Sequence, residues 1–511
     1  MKDRCEFGTL LSGLIIEGGI RPMRAYAGYR VGRPWHFALF LTAALSAAAS
    51  RAQARLQVGF AQADITPDVT RPVWLAGFGT GRKATGIHDH LFVRVVVLSD
   101  GEKRIALACA DLIGLQYPET VRIRRESKGV DYVLVASTHN HAGPDVVGLW
   151  GPTPRESGLD PQYLDLVVHR TAKAIRDACA RMQAAKACYG TAMNRSLLKD
   201  VRLPVALDPV LRVLAFHHPG DDRLLGIVVQ WNCHPESMDS GNTLITADFV
   251  KWTVDQLHRR YGVPIVYVSG AIGGLLTTPD EMRIGGRTFK TGQWGFAEAY
   301  GRAVGQLAEE ALQNAEPVNV TPISVAARPL VVPVVNGRYQ TAHRLKVLHR
   351  PAREWTGDPE KGGRVVQPGV ATQRMGVETE VACLRLGQLW VAAIPGELYP
   401  EMMYGQFQNP AEANVDFPHA PLEPTVTGLF RDRPFLFIGL ANDEIGYILP
   451  KRQWDSEPPF AYGRSKPQYG EANSVGPDTA PVLMNALCRR AAELGAPGAR
   501  GTEGNEYRSG G

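Results

Sequence analysis

The sequence has 511 residues, of which 44% are hydrophobic, and a formal net charge of +5. This composition excludes an intrinsically disordered chain and predicts a large buried core. The positive charge is scattered, with no Lys/Arg run and no basic stripe interleaved with aromatic residues, so it gives no support to nucleic-acid binding. The seven cysteines contain no CxxC pair, which argues against a zinc ribbon and a disulfide-built scaffold.

The N-terminal region has the pattern of an export signal. Three arginines precede an apolar stretch over 37–49, and an Ala-Gln-Ala sequence follows at 52–54. A basic region, a short apolar region and an A-x-A site are typical of a secretory signal peptide. We expect residues 1–54 to be this region, with cleavage after Ala54 and Met23 as an alternative start. An uncleaved membrane anchor is the competing interpretation.

An exported chain is expected to be periplasmic or secreted. No later segment is long and apolar enough to span a bilayer, so the mature chain is expected to carry no transmembrane span. Residues 55–495 are predicted to form the folded domain. Residues 496–511 are Gly-rich and polar, and they are predicted to be a disordered tail.

Short apolar runs predict strands that are buried on both faces, because they lack strict alternation. Apolar residues at helical spacing lie between them, and this alternation favours the α/β fold class, a mixed α+β layered domain with mixed β-sheets flanked by helices. In chain order the predicted strands are 92–98, 104–111, 132–137, 225–233, 265–271, 389–394 and 435–440, and the predicted helices are 161–182, about 248–260, 297–313 and about 480–494.

Polar residues follow four of the predicted strands. His139 and His141 come after 132–137, His234 comes after 225–233, and Glu397 and Tyr447 come after the last two runs. Ligands of open α/β sheets collect at the carboxyl ends of strands. We therefore expect these side chains to converge on one site.

His139 and His141 are separated by one residue. On an extended segment both imidazoles point to the same side, so they face one cavity as two ligands or as one ligand and one acid/base. Zinc favours imidazole and carboxylate ligands, and a catalytic zinc keeps a position open for water. The alternative is a pair of hydrogen-bonded surface histidines.

Other polar residues have two readings each. A lone histidine at a strand end, such as His234, is more often structural than a ligand, and Glu397 alone is more often a carboxylate at a helix N-terminus. Asp111 either orients a ligand histidine or satisfies a turn. The sequence His88-Asp89-His90 is interpreted as structural, since it precedes every other candidate.

An ordered set of motifs resembles the neutral/alkaline non-lysosomal ceramidases. The most specific is Thr-His-Asn-His-Ala-Gly-Pro at 138–144, where the family has Thr-His-Thr-His-Ser-Gly-Pro. The other segments that resemble the family are Val58–Pro67, Gly86–His88, Leu91–Arg94, Asn194–Ser196, Asn232–Pro235, Gly396–Leu398, Gly446–Ile448 and Tyr469–Ser474.

The resemblance implies one zinc ion per chain and hydrolysis of an N-acyl bond. It implies that the metal ligands are His139, His234, Glu397 and Tyr447. It also implies that the side chains facing the substrate amide are His141, Arg195 and Tyr469.

The chain departs from the family pattern at 273–279. The family has a Gly-Asp-Val-Ser-Pro-type segment there, with its Ser beside the scissile amide, whereas this chain has Gly-Gly-Leu-Leu-Thr-Thr-Pro. The acidic residue is missing, and the hydroxyl group is expected from Thr277 or Thr278. The folded domain is expected to end near 495, and the C-terminal immunoglobulin-like domain of full-length ceramidases is not expected.

The sequence therefore predicts a zinc-dependent amidohydrolase that cleaves ceramide or a related N-acyl lipid into a fatty acid and an amine. The expected partner is this small-molecule or lipid amide, with transient contact to a membrane surface. Two alternatives stay open: a catalytically silent homologue that binds zinc and ligand, and a zinc hydrolase of another ester or small amide.

Overall fold

Strands and helices alternate along residues 56–499, the part of the chain that the computed structural model describes. The strands are β1 (Gln57–Asp64), β2 (Gly86–Ile87), β3 (Phe92–Ser99), β4 (Arg104–Ala110), β5 (Tyr132–Ser137), β6 (Gln183–Ala184), β7 (Lys186–Met193), β8 (Lys199–Asp200), β9 (Val210–His217), β10 (Leu224–Trp231), β11 (Leu244–Ile245), β12 (Ile265–Ser269), β13 (Leu276–Thr277), β14 (Glu281–Ile284), β15 (Arg287–Lys290), β16 (Glu316–Val318), β17 (Ile323–Pro333), β18 (Ala352–Glu354), β19 (Val365–Val366), β20 (Met375–Leu386), β21 (Leu389–Ala393), β22 (Glu397–Leu398), β23 (Phe435–Ile438) and β24 (Tyr447–Ile448).

The helices of this part of the chain include the four that the sequence predicts. They are α1 (Tyr117–Glu126), α2 (Pro161–Ala180), α3 (Asp248–Tyr261), α4 (Trp294–Gln313), α5 (Gly337–Arg344), α6 (Glu401–Tyr404), α7 (Val426–Phe430) and α8 (Thr479–Glu493). The helix predicted from residue 297 begins three residues earlier, at Trp294.

Three larger sheets carry the fold, and each is mixed as expected. The first has the order β5-β4-β3-β1-β6 and the second β12-β10-β9-β7-β16. The third has the order β19-β18-β20-β21-β23, with β17 also paired to β20. One pair in each sheet is parallel: β4 with β5, β10 with β12, and β21 with β23. The mixed α/β class is thereby confirmed.

The strands are buried on both faces, as the apolar runs predict. In β3, Val93, Val95 and Val97 pack on the side of α2, while Val96 and Leu98 face a core that all three sheets share. The outward face of β10 packs against α3 and α4. The outward face of β21 packs against α8. Burying each such Val or Leu is worth about 1.5–3 kcal/mol.

The end of the domain lies beyond the predicted boundary at 495. Ala496 and Ala499 are buried, so the first four residues of the predicted tail pack on the domain. The predicted signal region 1–54 and the rest of the tail, 500–511, lie outside the described residues. Within residues 56–499, no immunoglobulin-like sandwich accompanies the three sheets, and no helix there has the length and apolarity needed to cross a bilayer.

Candidate metal centre

The ends of four strands are joined by hydrogen bonds in the middle of the molecule. At the end of β12, the Ser269 hydroxyl donates to the carbonyl of Thr138, which follows β5, at 2.7 Å. The Gly439 amide after β23 donates to the Ser269 carbonyl at 3.0 Å, and the Leu440 amide donates to the Gly396 carbonyl at 3.1 Å. Strand ends of all three sheets therefore lie close together.

Glycines permit this close approach. A Cβ on Gly439 would lie 2.4 Å from the Gly270 carbonyl oxygen, and one on Gly396 would lie 2.5 Å from that of Gly446. Both contacts are with backbone, which cannot move aside cheaply. Any side chain at these two positions would separate the strand ends.

Three histidines and a glutamate meet at this junction. The ring nitrogens of His139, His141 and His234 that could bind a metal lie within 4.8 Å of one another. Oε2 of Glu397 is 2.8 Å from Nε2 of His234 and 3.5 Å from Nε2 of His139. The Tyr447 hydroxyl is 3.5 Å from the same nitrogen of His234. The structure thus brings together five side chains, of which His139 and His141 follow the same strand.

Backbone carbonyls orient two of the imidazoles. Nδ1 of His139 donates to the Ile113 carbonyl at 2.7 Å, and Nδ1 of His234 donates to the Leu276 carbonyl at 3.0 Å. Since these carbonyls can only accept, both Nδ1 atoms carry the proton. Nε2 of each ring is then directed at Glu397. Metal-binding histidines characteristically make this second hydrogen bond.

His141 is held differently. It is 7% exposed, yet neither ring nitrogen has a hydrogen-bond partner among the described residues. Oε2 of Glu236 lies 3.5 Å from Nδ1 of His141. The edge of Phe78 packs on the ring at 5.0 Å, and a Cβ on Gly77 would lie 2.4 Å from it. Leaving a buried polar group unpaired costs about 1–3 kcal/mol, so this imidazole is suited to a ligand or a substrate.

Burial sets the charges of the site. It lowers the pKa of His139 to about 4 and that of His141 well below the ordinary value. Both rings are neutral at neutral pH, which is the form that binds metal. Burial would raise the pKa of Glu397, but its interactions with His139 and with the hydrogen-bonded His234 outweigh burial and lower that pKa below its ordinary value.

Two overlapping sets of donors could hold a metal ion. The three histidines form one set by distance alone. His139 and His234 with the Glu397 carboxylate form the other, completed by the Tyr447 phenol. Imidazole nitrogen and carboxylate oxygen are the donors that zinc favours. The buried, unpaired nitrogens and the oriented Nε2 atoms fit such an ion.

The two candidate threonines have different surroundings. Thr277 ends β13, and its hydroxyl hydrogen-bonds the Glu236 carboxylate. Thr278 follows the strand, is 2% exposed, and has a hydroxyl without a partner in the described structure. Thr277 is therefore the residue whose hydroxyl reaches the surroundings of His141.

The remaining predicted residues lie at the rim or away from it. Tyr469 is 51% exposed, and its ring stands perpendicular to that of Tyr447 at 5.5 Å. Arg195 is exposed on the short 3₁₀ turn Arg195–Leu197, and it makes no hydrogen bond or ion pair with a side chain of the described residues. The structure does not bring Arg195 into contact with the histidine group.

Asp111 and the segment 88–90 have structural roles. Both carboxylate oxygens of Asp111 accept hydrogen bonds from Arg94, at 2.7 and 2.8 Å. Asp111 makes no hydrogen bond with a histidine of the described residues. His88 stacks on Trp294 at 3.6 Å, and Asp89 accepts from the Thr246 hydroxyl.

Sequence reasoning missed Glu236 and Phe78 as members of the site. Glu236 had a signal, because it lies two residues after His234 at a strand end. Phe78 had none: it reaches His141 from a loop far upstream in the chain.

Two comparisons of the sequence with known proteins find relatives in one family. Residues 56–252 match the family model described as neutral/alkaline non-lysosomal ceramidase, N-terminal. Neutral ceramidase of Drosophila pseudoobscura pseudoobscura is 26% identical over 243 residues, which cover 43% of this chain and 34% of that protein. The match thus spans about a third of the length of this curated relative.

Two solved structures have a similar fold. The crystal structure of neutral ceramidase from Pseudomonas aeruginosa superposes with a TM-score of 0.65 at 18% identity, covering 86% of this chain and 74% of that one. A structure of ceramidase complexed with C2 gives a TM-score of 0.62 at 18% identity, covering 86% and 75% of the two chains. The sequence match over residues 56–252 confirms the predicted resemblance to the neutral/alkaline non-lysosomal ceramidase family. The described part of the chain also shares its fold with a neutral ceramidase.

Proposed function

We propose that this protein is a zinc-dependent hydrolase of N-acyl amides, with ceramide or a related N-acyl lipid as its substrate. The observation that carries the proposal is the pair of buried imidazoles, on His139 and His234, whose Nε2 atoms both face the Glu397 carboxylate. The likeness to neutral ceramidases supports the choice of bond.

His139, His234 and Glu397 would hold one zinc ion, with Tyr447 as the fourth ligand. The two carbonyls that fix Nδ1 of His139 and of His234 favour this set over the three histidines, because His141 has no such partner. When bound there, zinc supplies a Lewis acid for the amide carbonyl and lowers the pKa of a water molecule.

His141 is the proposed acid/base. Its neutral, buried ring accepts a proton from the attacking water and donates one to the leaving amine nitrogen. Tyr469, at the rim, would donate a hydrogen bond to the developing oxyanion, and the Thr277 hydroxyl would turn away from Glu236 to donate a second one. Arg195, exposed on its turn, would bind a polar group of the substrate at the entrance.

Export is part of the same proposal. A signal peptide at 1–54 would place the enzyme in the periplasm or outside the cell, where it would meet lipid amides at a membrane surface. Activity toward such substrates then needs only transient contact with the membrane.

A substrate panel with metal control tests the proposal. The purified protein is assayed with a long-chain ceramide analogue, a short N-acyl amine and an ester of the same acyl chain, before and after chelation and with zinc returned. We expect the amides to be hydrolysed, the long-chain one fastest, and only with zinc. A zinc-loaded protein that binds these amides but cleaves none would instead be a silent homologue, and preference for the ester would make it a hydrolase of another bond.

A further inference from the structure

Arg82 is a partly buried arginine that binds backbone carbonyls in place of a carboxylate. Its Nη1 donates to the Ala76 carbonyl at 2.9 Å and to the His141 carbonyl at 3.2 Å, and its Nη2 donates to the Asn242 carbonyl at 3.0 Å. The charge of Asp239 acts on its guanidinium, but among the described residues no carboxylate lies within ion-pair distance of it. Several fully buried arginines of this fold are instead paired with a carboxylate: Arg94 with Asp111, Arg202 with Glu471, Arg212 with Asp208, and Arg350 with Asp443.

The His141 ring has no hydrogen bond of its own to fix its orientation. Both ring nitrogens lack a partner among the described residues. The orientation therefore depends on the His141 backbone and on the two residues that pack against the ring, Gly77 and Phe78. The His141 amide donates to the Pro235 carbonyl at 3.1 Å, and the His141 carbonyl is held by Arg82.

Arg82 also holds the two residues that pack on this ring. Its guanidinium carbon lies over the Phe78 ring, 5.0 Å from the centroid, and the edge of Phe78 meets the His141 ring. The Ala76 carbonyl, which accepts from Nη1, directly precedes Gly77. One guanidinium thus fixes both the backbone and the packing that orient the imidazole. Displacing a reacting group by about 1 Å can lower a rate by about a hundredfold.

We propose that Arg82 is a positioning residue that holds the His141 ring in the orientation for proton transfer. This inference rests on the proposed function, in which His141 is the acid/base, and adds to it the group that keeps that ring in place. The role depends on the planar fork of a guanidinium, which reaches three carbonyls at once. A lysine ammonium has the same charge but carries its donors on a single nitrogen.

Two substitutions and one added ion test the inference. Arg82→Ala should lower kcat by about 100-fold and change KM by less than roughly threefold, with the zinc content of the wild type. Arg82→Lys, which keeps the charge without the fork, should recover little of the rate. A low concentration of guanidinium chloride should raise kcat of Arg82→Ala several-fold, and sodium chloride at equal ionic strength should not. Steady-state hydrolysis of a long-chain ceramide analogue by the zinc-loaded proteins measures these effects.

Arg385 provides a matched control, because it makes the same kinds of contact at another place in the fold. Its guanidinium donates to the carbonyls of Gly387 and Leu494 at 3.2 and 3.3 Å and lies over the Trp390 ring at 5.5 Å. Arg385→Ala should keep the wild-type kcat and should not respond to guanidinium.

Three results would overturn the inference. A wild-type kcat in Arg82→Lys would show that the charge suffices, and a wild-type kcat in Arg82→Ala would show that neither charge nor fork matters. A loss of zinc and of melting temperature that parallels the loss of rate would assign Arg82 to the fold alone. If Arg82→Ala does not fold, Arg82→Lys decides: a lowered kcat at wild-type zinc content and melting temperature supports the positioning role.

Hydrogen exchange tests the inference without any hydrolysis. Peptides that contain residues 74–78 and 139–143 should exchange faster in Arg82→Ala than in the wild type, and Arg385→Ala should leave both unchanged. Faster exchange in a protein that cleaves no amide would support the positioning of His141 and refute the hydrolase. Unchanged exchange in both segments of an active enzyme would overturn the inference and leave the proposed function intact.

Discussion

At the residue scale, His139 departs from the conformation that the sequence argument assumed. The argument placed His139 and His141 on one side of an extended segment, but His139 has φ of 68°, in the left-handed region. Their rings nevertheless meet at 4.8 Å, because the chain turns at that point. A non-glycine residue adopts such a backbone at a cost of about 1–3 kcal/mol, which is typical of functional sites.

The two threonines make a prediction at the same scale. Thr277→Ala should lower kcat by about a hundredfold, the usual effect of removing one oxyanion donor, and Thr277→Ser should restore most of it. Thr278→Ala should have little effect on kcat, because that hydroxyl is not in contact with Glu236 or His141. Steady-state kinetics on one zinc-loaded amide assay measures all three. A loss in Thr278→Ala alone would assign the hydroxyl to the other threonine.

At the element scale, the loop that carries Tyr469 is fixed by a buried ion pair. Arg202 binds the Glu471 carboxylate, and their side chains are 2% and 4% exposed. Leu203 exchanges two hydrogen bonds with the Gln468 side chain, at 2.8 and 2.9 Å. The segment after β8 thereby holds the residues on both sides of Tyr469.

Removing one partner of this pair should destabilise the fold. Arg202→Met leaves Glu471 as a buried, unpaired charge, and we expect the free energy of unfolding to fall by about 3–5 kcal/mol. Denaturant unfolding measures the change, and kcat/KM should fall with it because Tyr469 loses its support. Arg223→Met, which removes an exposed arginine paired with Asp221 at 3.9 Å, is the control and should change little. Wild-type stability in Arg202→Met would contradict the assigned role of the pair.

A second buried carboxylate makes stability depend on pH. Glu423 accepts a hydrogen bond from the Lys451 amide, and burial raises its pKa from the ordinary 4.5 to about 7. The folded state thus holds this proton more tightly than the unfolded chain. Below about pH 4.5, where Glu423 is protonated in both states, it does not change the free energy of unfolding. Above pH 7 its ionisation lowers that free energy by on the order of 3 kcal/mol.

Glu423→Gln should remove that penalty. We expect the variant to melt at a higher temperature than the wild type at pH 8 and at nearly the same temperature at pH 4.5. Thermal unfolding at the two pH values makes the comparison, with Glu316→Gln as the exposed control. A variant that is less stable at pH 8 would show that the ionised carboxylate is stabilising.

The larger elements could be predicted because their burial is simple. Strands such as β3 and β10 are apolar on both faces, which gives continuous runs, and α2 has one apolar face at helical spacing. The strands that carry Glu397 and Tyr447, β22 and β24, have two residues each and no pattern of their own. Their pairing depends on contacts between distant parts of the chain, and the same holds for Glu236 and Phe78.

At the scale of the whole molecule, the candidate metal centre joins the three sheets. His139 follows the first sheet, His234 the second, and Glu397 the third. A metal ion bound by all three would cross-link chain ends that are otherwise joined by backbone hydrogen bonds. Metal binding should therefore stabilise the entire domain and not only the site.

Zinc removal should lower the melting temperature. At a zinc concentration about 1,000 times the dissociation constant, binding adds about 4 kcal/mol, which corresponds to roughly 4 °C for a domain of this size. Differential scanning calorimetry before and after chelation measures the shift, and returned zinc should reverse it. His234→Ala should melt at the same temperature with and without chelator. A chelator effect of equal size in that variant would place the stabilising ion elsewhere.

The most direct test of the account is the zinc content of two histidine variants. The wild type and His141→Ala should each retain about one zinc per chain after dialysis, while His234→Ala retains none. Activity should be lost in both variants, by about 100- to 10,000-fold in His141→Ala. His169→Ala, at an exposed histidine, is the control and should match the wild type. A wild-type protein without stoichiometric zinc, or a His141→Ala variant that loses its metal as fully as His234→Ala, would contradict the account.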